Sequence, residues 1–123
     1  MSTKSNKVTT YPSLVGKVLS LQREYHGIEQ LEFAQKMGLA QSSWSRIERG
    51  IATANVEQLF KASKILKTSA NTLLKQADQL KEAFELEGGK VIEKKETETL
   101  SPEMKLVGAA ALGALLFAIV RNK

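Results

Sequence analysis

The sequence predicts an all-α fold, five short helices followed by a separate apolar helix, and three observations carry that reading. Apolar residues recur at helical steps of three and four through residues 11–86, and no alternating stretch competes. Capping side chains and glycines fall where those stripes begin and end. Residues 106–120 then run for 15 positions without a charged or polar side chain.

Residues 1–10, MSTKSNKVTT, are small and polar with two lysines, Lys4 and Lys7, and predict a disordered arm whose charge suits phosphate contact. No apolar signal segment follows, which places the expected location in the cytoplasm. From Tyr11 the spacing of Leu14, Val15, Val18, Leu19 and Leu21 predicts a first helix reaching Tyr25, before Gly27 permits a turn. A second short helix over residues 30–37 sets Leu31, Phe33, Ala34 and Met37 on one side and stops at Gly38. After Leu39 and Ala40 a third begins at Gln41, with Trp44 and Ile47 inward, and ends at Gly50.

Asn55 with Gln58 three positions on predicts a capping box for a fourth helix, whose buried stripe would be Val56, Leu59, Phe60 and Leu66. Ser69 is placed to cap a fifth, with Leu73, Ala77, Leu80 and Phe84 at helical steps until Gly88 and Gly89. The domain is therefore expected over residues 11–86, with a linker over residues 87–101, where paired glycines and mixed charge leave little to bury.

Composition narrows the chemistry. The 123 residues carry no cysteine and one histidine, which removes disulfides, thiolate metal sites and thiol nucleophiles, and leaves little basis for an imidazole centre. Neither an enzyme nor a cofactor is expected. Residues 1–86 hold 12 basic and 8 acidic side chains, a surplus that suits a polyanionic partner.

The stretch EQLEFAQKMGLAQSSWSRIERG, with Gln30, Ala34, Gly38, Trp44, Ile47, Glu48 and Gly50 in their places, resembles the helix-turn-helix of Cro-type and phage-repressor-type DNA-binding domains. The likeness runs over residues 12–74 and implies a five-helix, lambda-repressor-like domain. Small Ala34 lets two helices approach and Gly38 allows the turn between them. The resemblance implies that residues 41–48 form a recognition helix in the major groove of double-stranded DNA. Gln41 and Ser42 would meet base edges or phosphates, with Ser45 and Arg46 one turn on. Ser43, Arg49 and Lys61 are candidate backbone contacts, and Gln30 would bind a phosphate at the start of its helix. Glutamine pairs two-pronged with adenine and arginine with guanine, which is why these side chains carry sequence information. The resemblance also pairs Glu48 with Arg23 of the first helix as a structural ion pair. Glu29 and Ala40 stand where the family usually has Ser, Thr or Asn, and a missing cap costs about 1 kcal/mol.

Ser101, Pro102 and Glu103 make a good helix start, so residues 102–123 are expected to form a C-terminal hydrophobic helix and membrane anchor. Twenty helical residues span about 30 Å, the thickness of a bilayer core. Leu106, Leu112, Leu115, Leu116, Phe117 and Ile119 would face lipid. A homodimer is expected, through that helix or through Leu80 and Phe84 of the fifth, because paired half-sites call for a two-fold partner. The function that follows is a transcriptional regulator, a repressor, tethered to the membrane. The rivals are a membrane-anchored scaffold that uses the same domain to bind a protein, and an antitoxin-type repressor.

Overall fold

Thr10 ends a strand and starts a helix. The structure, a computed structural model, describes residues 6–113. In it β1 (Lys7–Thr10) runs directly into α1 (Tyr11–Tyr25). The Thr10 side chain accepts from the Ser13 N–H, and Pro12 lies in the first turn, where its missing N–H is not needed. Helices α2 (Gln30–Met37), α3 (Gln41–Glu48), α4 (Val56–Ile65) and α5 (Ala70–Leu86) follow. Asn55 and Gln58 form the reciprocal capping box of α4, and Ser69 caps α5. The chain continues through β2 (Lys90–Ile92), a 3-10 helix (Lys94–Thr99), β3 (Lys105–Leu106) and a second 3-10 turn (Ala109–Leu112).

Helix α1 is the spine of the core, packed on α5 along one side and on α3 along another. Leu14, Val18 and Leu19 of α1 are buried together with Phe33, Trp44, Leu66, Leu73 and Leu80. Removing an aliphatic side chain of this kind from water contributes about 1.5–3 kcal/mol. The approach of α1 to α3 is set by Gly16. A Cβ at that position would meet the carbonyl oxygens of Ile47 and Glu48, the latter at 2.6 Å, so the two helices touch backbone to backbone.

The ends of the described chain depart from the sequence-based expectation. Residues 7–10 are no disordered arm: they form the middle strand of a three-stranded parallel sheet of order β2-β1-β3. Val8 and Thr9 are fully buried there. The reason is tertiary, because the partners of β1 lie some 80 and 100 residues further on: Val8 faces Lys90 in β2 and Leu106 in β3. Residues 87–101 are likewise no free linker. Gly89 turns against the Phe84 ring, and β2 carries Ile92 into buried contact.

No helix starts at Pro102. Met104 N–H donates to Ser101 carbonyl in a tight turn, and Lys105 and Val107 donate to the carbonyls of Asn6 and Val8, both at 2.7 Å. Those amides serve a strand, not a helix. Leu106 is half-exposed in β3, whereas Leu112 is 1 % exposed in the core against α1, in a vacancy the helical stripes do not reveal. Leu115, Leu116, Phe117 and Ile119 lie outside the described residues. Among the described residues no helix is long and apolar enough to cross a membrane.

Three further expectations about faces are corrected. Leu31, Val56 and Phe60 are exposed rather than part of the buried stripe, Val56 to 80 %. Leu80 and Phe84 are buried inside the chain's own core, so they form no dimer face.

Candidate nucleic-acid interface

The turn between α2 and α3 is built by two small residues. Ala34 is fully buried, and its carbonyl accepts the Leu39 N–H after Gly38 has taken a left-handed conformation, φ 74°. Any residue with a Cβ is strained there. Lys61 of α4 reaches across to donate to the Met37 carbonyl at 3.3 Å, which places a cation at the negative end of α2.

Successive residues of α3 turn by about 100°, so its eight residues divide into two faces. Trp44, Ile47 and Glu48 point into the protein and are buried. Trp44 stacks on Phe33 with ring centroids 4.8 Å apart. The outer face presents Gln41, Ser42, Ser45 and Arg46, and Arg49 follows at the C-cap on the same side. All are exposed except half-buried Ser45, and Ser43 is exposed further round the helix. The face carries amide, hydroxyl and guanidinium groups and no acid. Neither Glu29 nor Ala40 makes a side-chain cap, so the first N–H groups of α2 and α3 are not capped by those residues, and Ser42 does not take over the cap.

Beneath this face the structure joins Arg23 and Glu48. Arg23 Nε donates to Glu48 Oε2 at 2.6 Å and Nη2 to Oε1 at 3.1 Å, a two-pronged pair. Arg23 Nη1 also donates to the Ile28 carbonyl, tying the α1–α2 loop to the same cluster. The hydrogen bond to Glu48 raises the Arg23 pKa further above its already high ordinary value, against the opposing effect of burial. Trp44 Nε1 donates to Glu48 Oε2 at 2.6 Å, and Gln30 Nε2 to Oε1 at 2.9 Å. Gln41 Nε2 in turn donates to Gln30 Oε1 at 3.4 Å.

Sequence reasoning foresaw neither Gln30 as a partner of Glu48 nor the second role of Trp44. The Trp44 contact was legible in principle, since residues four apart share a helix face. Gln30 was not, because it lies 18 residues from Glu48. A cavity of about 450 Å³ lies elsewhere, lined by Phe84, Leu106, Val107 and Leu112 with Lys7 and Lys105, and none of the outer-face residues of α3 borders it.

Residues 19–73 match the family model for the helix-turn-helix. Two crystal structures of the clp gene regulator ClgR from Corynebacterium glutamicum resemble the chain at 24 % identity. One has a TM-score of 0.53 and covers 55 % of this chain and 88 % of its own; the other has 0.54, with 55 % and 72 %. That likeness establishes a shared fold. The master regulator for biofilm formation SinR, solved in complex with DNA, is 36 % identical over 49 % of this chain and 97 % of its own, with a TM-score of 0.46. No curated protein matches the chain.

Proposed function

We propose, for a chain that belongs through residues 19–73 to the helix-turn-helix family, that it is a DNA-binding transcriptional regulator, a repressor, that lays α3 in the major groove. The observation that carries this reading is the division of α3: a polar, acid-free outer face on a helix whose inner face is locked by Trp44 and the Arg23–Glu48 pair. A rigid helix with an exposed amide at its start and an exposed guanidinium one turn on is what base-edge readout needs. Gln41 and Arg46 read bases in this proposal, with Ser42 and Ser45 beside them. Ser43, Arg49 and Gln30 contact the sugar-phosphate backbone. Recognition of paired half-sites adds a second copy of the chain, through a surface other than Leu80 and Phe84. A membrane tether forms no part of the proposal, since residues up to Leu112 serve the domain.

Selection of DNA by the full chain tests the reading. A selected sequence whose binding weakens with salt, by about 0.9 in log-log slope per phosphate contacted, supports it. Gln41→Ala with Arg46→Glu should abolish that binding and leave the circular dichroism of the fold unchanged. Binding that survives the double change, or a salt slope near zero, overturns it.

A second reading, a protein-binding scaffold, is favoured by Val56 and Phe60, exposed side by side one helical turn apart on α4. Val56→Asp with Phe60→Asp separates the two: DNA selection should be untouched by it, whereas capture of a protein partner would be lost.

A further inference from the structure

One face of the small sheet carries two lysines beside an apolar wall. Side chains alternate along an extended chain, so Lys105 and Val107 leave on the same side, and Lys7, the register partner of Lys105, leaves with them. Val107 packs against the core cluster that holds Phe84 and Leu112. Both lysines therefore rise on the side of the sheet turned toward that core. These five residues border the cavity of about 450 Å³, a volume inside the range of about 300–1,000 Å³ that small-molecule sites occupy.

Two glycines shape the walls. A Cβ at Gly89 would overlap the Phe84 ring, so the ring lies directly against the backbone there and is held in place. Gly108 has an extended backbone, φ −82° and ψ 174°, that any residue adopts, and a Cβ at that position would meet nothing within 4 Å. The space beside Gly108 is open. Charge sets the remaining requirement. Two ammonium groups side by side on neighbouring strands repel each other, and Glu87, which also borders the cavity, balances one of them at most.

We infer that this cavity binds a small amphipathic carboxylate. Its apolar chain lies against Phe84, Val107 and Leu112, and its carboxylate sits between Lys7 and Lys105 at the exposed mouth. The apolar wall gives a site its burial and a few placed polar groups give it orientation. A lysine ammonium is a compact point charge that takes a carboxylate without a fixed fork. The inference stands apart from the DNA reading, because none of the outer-face residues of α3 borders the cavity.

Titration of the full chain with decanoate, kept below its micelle concentration and followed by NMR, tests the site. The Val107 and Leu112 methyl signals and the Phe84 ring signals should shift together and saturate. Decyltrimethylammonium, with the same chain and the opposite charge, should bind about tenfold more weakly, the scale of two exposed charge pairs. Lys7→Gln with Lys105→Gln changes two exposed side chains and should bring the two probes to equal affinity. Gly108→Phe should fill the cavity and abolish decanoate binding, with the circular dichroism of the fold unchanged. No saturable shift, a cation that binds as tightly as decanoate, a charge preference that survives the double change, or full affinity in a folded Gly108→Phe chain each overturns the inference.

Discussion

Helix α3 and residues 90–112 both carry side chains onto α1, and they are held in place by different forces. The helix is held through side chains: Trp44 and Ile47 in the core, Glu48 in its cluster of donors, Gly16 beneath its last turn. The C-terminal stretch is held through backbone, its amides and carbonyls shared with β1, and locked by a few apolar residues, among them Ile92 and Leu112. Side-chain anchoring leaves a trace in residue type and spacing. Backbone anchoring leaves almost none, since every non-proline residue carries the same donor and acceptor.

The contrast is broken most severely from the α3 side. Glu48→Ala leaves Arg23 buried without its partner and strips acceptors from Trp44 and Gln30, and it should destabilise the chain by about 3–5 kcal/mol in urea unfolding. A midpoint unchanged from wild type would mean the cluster contributes nothing to holding α3. From the other side, Leu112→Ala should cost about 2–5 kcal/mol by removing a fully packed side chain from the core. A C-terminal helix independent of the domain predicts no change, so this variant decides which account of residues 101–112 stands. The smallest effect sharpens the picture of α3 itself. Ala40→Ser supplies the cap that the helix lacks and should raise stability by about 1 kcal/mol, measured by the same unfolding. No gain would show that the first amides of α3 are already satisfied.

Much of the candidate site was legible in advance because its signals are local. Ala34 and Gly38 mark the turn, Trp44 and Ile47 mark the inner face, and the remaining positions from Gln41 to Arg49 are left to the surface. Val56 and Phe60 show where local reasoning stops. Their spacing fits the apolar stripe of α4, yet only the way α4 lies on its neighbours determines that Leu59 is covered and they are not. The same limit hid Gln30, whose orientation depends on a carboxylate that folding brings from the far end of α3.

The amino-acid order alone determined the five helices, the caps of α4 and α5 and the small residues between α2 and α3, because helical periodicity, capping and left-handed turns are properties of a few neighbouring residues. Tertiary structure decided the rest: that β1 finds its partners in β2 and β3, that Leu112 completes the core, and that Glu48 accepts from Gln30 as well as from Arg23. Each of these depends on groups far apart in the chain meeting in space, and on hydrogen-bonding atoms whose partners no local pattern specifies.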